Sequence, residues 1–170
     1  MSLRALGGGV ALAVFVLDQA AKAAVLSRPG PSLDQPIPLL PFLDLALRWN
    51  RGISFSLFAR DSPLAQSALL AVTVLAIAFL GLWLSRTRST LAAIGLGAII
   101  GGALGNAADR VAHGAVVDFL DLHAFGWHFF VFNLADAAIN IGVALLVLDM
   151  LALTRAPDGR SPTAPPPGPR

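Results

Sequence analysis

The sequence predicts an all-α polytopic membrane protein, four transmembrane helices carrying a small extracytoplasmic β-hairpin or β-sheet element. Three observations lead there. Hydrophobic residues fill 56% of the 170 positions and charged residues only 13%, about half the charge of an ordinary water-soluble domain. Several stretches approach the roughly 20 apolar residues that a helix needs to cross a bilayer core. Between them, two segments change from helical spacing to strict alternation. The same composition excludes several functions. A net charge of +2, with no basic run to follow a phosphate backbone, argues against a nucleic-acid partner. The absence of cysteine removes disulfides, thiol catalysis and cysteine metal sites, and every acidic residue is an aspartate.

Taken in order, the chain reads as one membrane-embedded domain, residues 1–155, followed by a Pro-rich disordered tail over 156–170. The first span, about residues 6–26, is apolar until Asp18 and Lys22. Arg4, the apolar run and Ala21-Lys22-Ala23 also resemble a secretory signal, but Asp18, Gln19 and Lys22 fit a cleavage site badly. The outer segment at about 34–60 contains Leu43, Leu45, Leu47 and Trp49 alternating with Asp44, Ala46 and Arg48. Asn50-Arg51-Gly52 supplies a turn, and Ile53, Phe55 and Leu57 a second strand, which together predict a hairpin. Spans two and three, about 64–85 and 90–109, are uncharged through their apolar runs. The second outer segment, about 114–131, alternates around Asp118 and ends in aromatic residues suited to a membrane surface. Span four covers about 133–153. The short loop Ser85-Arg86-Thr87-Arg88-Ser89 is basic and reads as cytoplasmic, which puts both termini inside and both long segments outside. The first outer segment also carries Arg28, Arg48, Arg51 and Arg60, interleaved with Asp34, Asp44 and Asp61, so orientation rests on that short loop.

Ionisable residues inside spans are costly and mark function. Here they gather at the outer ends: Asp18 and Lys22, then Asn106, Asp109 and Arg110, then Asn133, Asp136 and Asn140, with Asp118 in the segment between. Each set shares one helical face. Gly97, Gly101 and Gly105 recur every four residues, a spacing that lets helix backbones approach. Plainer roles compete with function. Asp18 and Lys22 could be an interfacial pair reaching water, Asp109 and Arg110 a helix end, and Asn50 and Gly52 turn formers. Asp118 and Asp136 have no adjacent base and need partners. Two carboxyl groups in a low-dielectric site share a proton, the working state of an aspartic protease, which needs neither metal nor cofactor. His113, His123 and His128 lack one-turn zinc spacing and read as interfacial, and no G-x-S-x-G elbow occurs. Alternatives are a Ser–Lys enzyme joining Lys22 to Ser54 or Ser56, a proton-relay transporter with polar residues crossing the whole bilayer, or a scaffold with interfacial anchors.

Asp18-Gln19-x-x-Lys22, Trp49-Asn50-Arg51-Gly52-Ile53-Ser54-Phe55, Gly105-Asn106-x-x-Asp109-Arg110 with Gly114-x-Val116-Val117-Asp118-Phe119, and Phe132-Asn133-x-Ala135-Asp136 occur in that order. From Asp18 to Asn140 the chain resembles the lipoprotein signal peptidase (signal peptidase II) family. The resemblance implies an aspartic endopeptidase of the bacterial inner membrane that cuts prolipoproteins just before a diacylglyceryl-modified cysteine. It implies Asp118 and Asp136 as the catalytic pair, and Asn106, Arg110 and Asn133 as pocket residues. Asn50 and Gly52 would lie on a substrate-cradling β-structure, with Asp18, Lys22 and Asp109 as supporting polar groups. It further implies membrane lipids as surroundings, inhibition by globomycin-type cyclic peptides, and no cofactor or metal.

Overall fold

The computed structural model describes residues 2–27, 35–52 and 63–155. Four long apolar helices run through it: α1 (Leu3–Leu26), α2 (Pro63–Arg86), α3 (Thr90–His113) and α4 (Leu134–Arg155). Four strands complete it: β1 (Ile37–Leu40), β2 (Leu43–Asn50), β3 (Val116–Ala124) and β4 (Trp127–Phe132), in one antiparallel sheet of order β1-β2-β3-β4. The Pro-rich tail at 156–170 and the expected strand Ile53–Leu57 lie outside the described residues.

The spans run past their expected limits. α1 begins at Leu3, where the Ser2 hydroxyl caps it by accepting from the Ala5 amide at 3.2 Å. α3 continues beyond residue 109 to His113 because Asp109 and Arg110 keep their places in the helix. It stops at Gly114, whose left-handed backbone (φ 68°) lets its N–H bond the Arg110 carbonyl at 3.0 Å.

α3 forms the centre. Two-thirds of its apolar stretch is buried, against 22% for α1, 6% for α2 and 11% for α4. Glycines make this possible on two faces. A Cβ at Gly97 or Gly101 would collide with the Gly7 or Ala11 carbonyl of α1, and one at Gly102 would sit 2.5 Å from the Ala135 carbonyl of α4. Ala11, Leu84, Ala93, Leu96 and Ile100 form the apolar core between α1, α2 and α3. The other faces of α1, α2 and α4 carry exposed Leu, Val, Ile and Phe, as a lipid-facing surface requires.

The sheet joins the two outer segments. After Asn50 the chain bends at Gly52 (φ 79°), whose amide donates to the Asn50 side chain at 2.9 Å, while what the expected turn leads into lies outside the described residues. The neighbours of β2 are β1, joined to it by a tight hairpin at Pro41-Phe42, and β3, from the segment between α3 and α4. The β2–β3 register runs from Leu43 opposite Leu122 to Asn50 opposite Val116, with an irregularity between Leu45 and Arg48. This non-local pairing brings Asn50 over the start of β3. Val117 and Phe119 pack with Val25 from the end of α1, seating the sheet on the helix ends.

Candidate active site

At the junction of α1, α3, β3 and α4 the polar residues form one hydrogen-bonded network. Lys22 is its cationic anchor. Its ammonium lies 2.7 Å from both Asp18 Oδ2 and Asp109 Oδ2, and 3.1 Å from Asn106 Oδ1. Lys22 is 2% exposed and Asp18 fully buried, so the pair does not reach for water as an interfacial pair would. Asp109 does more than end a helix. Its Oδ2 also accepts from the Val117 amide at 3.1 Å, tying α3 to β3. Asp18 Oδ1 accepts from the Ala135 amide at 2.9 Å, meeting one of the unpaired donors in the first turn of α4. Gly105 makes room for the Asp18 carboxylate, which a Cβ there would strike. Every charge in this cluster thus fastens two elements together.

Asn106 and Asn133 carry the network to the two remaining aspartates. An ammonium can only donate, so Lys22 fixes which end of the Asn106 amide is oxygen. The Asn106 nitrogen is thereby left to donate to Asp136 Oδ1, at 2.8 Å. Asn133 Nδ2 donates to Asp118 Oδ1 at 2.7 Å and to Asn106 Oδ1 at 3.1 Å. Asn133 also precedes α4 and forms a reciprocal cap with Asp136. Its Oδ1 accepts from the Asp136 amide at 2.9 Å, and its own amide donates to Asp136 Oδ2 at 3.3 Å. One asparagine is therefore bonded to both Asp118 and Asp136. From the sheet, Asn50 Nδ2 reaches Asp118 Oδ2 at 2.9 Å.

Asp118 is buried and Asp136 partly open. Burial pushes the Asp118 carboxyl up to about 6, opposed first by the Asn50 donor; the charge of Asp136 pushes the same way as burial, while Asn133 and Lys22 oppose it. Arg110 donates to the Asn106 carbonyl at 3.2 Å, and its charge acts on Asp136, Asp109 and Asp118. A cleft of about 550 Å³ opens beside Asp136, lined by Leu122, Phe130, Phe132, Ile139 and Asn140. It offers an apolar approach to a polar centre, and among the described residues no serine, threonine or cysteine takes part in the cluster. Such an arrangement can take a proton from water on one carboxyl group and give one from the other.

Nine of the ten expected site residues fall at this junction, and Gly52 lies one step away, its amide bonded to the Asn50 side chain. Gln19 belongs with them although it was not expected in a role. Its amide donates to Asp109 Oδ1 at 3.0 Å and to Asp18 Oδ2 and the Gly105 carbonyl, each at 3.3 Å. Its place in the Asp18-Gln19-x-x-Lys22 motif was the signal. The expected Ser–Lys alternative has no support at Lys22, whose three bonds are to Asp18, Asp109 and Asn106; Ser54 and Ser56 lie outside the described residues. The histidines lie apart from the cluster. His128 Nδ1 is 2.6 Å from Asp121 Oδ2, His123 Nε2 is 3.1 Å from Asp44 Oδ1, and His113 packs edge-on to Trp49.

Known proteins bear on this arrangement. A family model described as signal peptidase (SPase) II matches residues 10–152. A lipoprotein signal peptidase of Methylobacterium sp. (strain 4-46) is 49% identical over 144 residues, 85% of this chain and 87% of the relative. One from Beijerinckia indica subsp. indica is 49% identical over 149 residues, covering 88% and 89%. Among solved structures, a bacterial membrane enzyme determined in meso at 1.9 Å superposes with a TM-score of 0.76 at 25% identity, covering 86% of this chain and 93% of that one. Another, at 2.3 Å, gives 0.77 at 24% identity, covering 93% and 94%, a likeness of fold.

Proposed function

The chain belongs to the signal peptidase II family, and on that premise we propose that Asp118 and Asp136 together activate the water that cuts its substrate. The protein is a multi-pass membrane protease that removes signal peptides from prolipoproteins. The observation carrying the reading is Asn133, hydrogen-bonded to both carboxyl groups at once.

The pair holds one proton. The ionised carboxylate takes a proton from water as the water oxygen attacks the scissile carbonyl carbon, and the protonated partner gives its proton to the carbonyl oxygen. Collapse of the tetrahedral intermediate breaks the C–N bond: the departing amine takes the proton held by one carboxyl group, and a hydroxyl of the intermediate returns its proton to the other as the new carbonyl forms, so the pair again holds one proton. Asn106 and Asn133 hold the two side chains in register. The Asp18–Lys22–Asp109 cluster keeps α1, α3, β3 and α4 at the spacing this requires.

The same reading sets the surroundings. The protein sits in the bacterial inner membrane with both termini in the cytoplasm and the dyad toward the outer face. The apolar cleft beside Asp136 receives the substrate from the lipid, with the cut just before a diacylglyceryl-modified cysteine. Globomycin-type cyclic peptides compete for the same place. The test is prolipoprotein cleavage by purified Asp118→Asn and Asp136→Asn variants, with thermal unfolding measured alongside. Each should lose at least about a hundredfold in kcat/KM while remaining folded. Near-normal cleavage by either folded variant removes the dyad from the mechanism.

A further inference from the structure

At the opposite end of the bundle, about 28 Å along α3 from Asp109 at 1.5 Å per residue, a cleft of about 740 Å³ lies between the start of α1 and the α2–α3 connection. Ser2, Arg4, Ser85, Arg86, Thr87 and Arg88 line it. Arg4 is held in place by its Nε, which donates to the Ser85 carbonyl at 2.9 Å. Arg86 and Arg88 are exposed, and among the described residues no carboxylate pairs with any of the three arginines. Asp149 of α4, which reaches the α2–α3 connection, is bonded there by the Ser89 hydroxyl. The start of α1 adds the amides of Leu3 and Arg4, which precede the first hydrogen-bonded ones, Ala5 and Leu6. The C-terminal tail does not complement this charge, since after Arg155 it carries Asp158 against Arg160 and Arg170.

We propose that this cleft binds the headgroup of an anionic phospholipid, with Arg4, Arg86 and Arg88 on the phosphate and the acyl chains along the exposed apolar faces of α1 and α2. Three guanidinium groups around an open cavity at the end of membrane-spanning helices match a phosphodiester held at the bilayer surface. Further along the two helices, the exposed Leu12 and Val16 on α1 and Val72 and Leu75 on α2 provide apolar surface that a free phosphate would not use. The site is independent of the proposed dyad, so its failure would leave the peptidase mechanism untouched.

The test uses the full chain in neutral detergent, titrated with dioleoyl phosphatidylglycerol or dioleoyl phosphatidylcholine, with binding followed by native mass spectrometry and thermal unfolding. The anionic lipid should bind more tightly than the zwitterionic one, and the Arg86→Gln/Arg88→Gln variant should lose about fivefold of that preference for each arginine removed. Prolipoprotein cleavage in neutral detergent should be unchanged by this variant. For the unaltered protein, raising the salt from about 50 to 500 mM should erode the preference, a readout that does not depend on any variant folding. Equal binding of the two lipids, or a preference that survives in Arg4→Gln/Arg86→Gln/Arg88→Gln, overturns the proposal. So does inorganic phosphate that matches the lipid's stabilisation at equal concentration, which would make this a site for a free anion.

Discussion

At Asp118 burial and the charge of Asp136 favour the neutral acid, whereas the Asn50 and Asn133 amides and the Lys22 ammonium favour the carboxylate; burial wins, placing the group at about 6. Its ordinary value is 3.8, so the folded chain binds this proton more tightly than the unfolded one. Asp118 therefore stabilises the fold most at low pH, and that contribution declines as pH rises from 3.8 through about 6. The proposed dyad needs one proton, so kcat/KM should fall about tenfold per pH unit on the alkaline side of the pair's upper value. Asn50→Ala removes a donor to the anion and should move that limb to higher pH, read from the pH profile of kcat/KM. A limb that stays in place would show that Asn50 has no hold on the carboxyl group. Lys22 answers to a different balance. Lys22→Met strands two buried carboxylates and should cost about 3–5 kcal/mol, measured by unfolding in detergent. Adding Asp18→Asn and Asp109→Asn should restore most of the loss, because it is the uncompensated charge that destabilises.

Along the helices, the spacing of small residues sets which faces meet. The stripe of Gly97, Gly101 and Gly105 was legible in the sequence, and it marks the α1 side of α3. Its first two members admit the α1 backbone and its last admits the Asp18 carboxylate. A second set on the α4 side, Gly95 and Gly102, meets Gly142 and Ala135 and is hidden by its seven-residue interval. Gly101→Leu should force α1 off α3 and cost about 1–3 kcal/mol. Gly8→Ala, on an open face of α1, should change stability by less than about 1 kcal/mol. Comparable unfolding of the two variants would show that the helices do not rely on this close approach. The reciprocal cap at the start of α4 is a further device at this scale. The Asn133-x-x-Asp136 spacing starts the helix and aims Asp136 with the same bonds, so a helix terminus and half of the proposed dyad are one structure.

Across the whole molecule, the polar cluster lies at one end of the bundle and the arginine cleft at the other. This separation suits an enzyme that meets its substrate at one membrane face better than a relay crossing the bilayer. The aromatic tip of the sheet is open, with Phe125 fully exposed and Trp127 at 74%. The chain has no cysteine of its own, which makes orientation easy to measure with a membrane-impermeant thiol reagent. Trp127→Cys should be labelled in intact spheroplasts, and Thr87→Cys only after the membrane is opened. The reverse pattern would invert the proposed topology.

Hydropathy by itself determined the four spans, because each apolar stretch must be shielded from water whatever its neighbours do, and helical spacing determined which polar residues share a face. Local alternation likewise marked β2 and β3, and ordered motifs singled out Asp118 and Asp136. Only the tertiary structure decided what those residues touch. Asn50 and Asp118 are separated by much of the chain and meet through a register between two outer segments that no local period encodes. Lys22 could have reached for water at the membrane surface from the sequence pattern alone. It is buried because α3 supplies Asp109 and Asn106 at the depth where α1 ends its apolar run. Periodicity acts within one segment; the pairing of charges depends on which segments the packed glycine faces allow to meet.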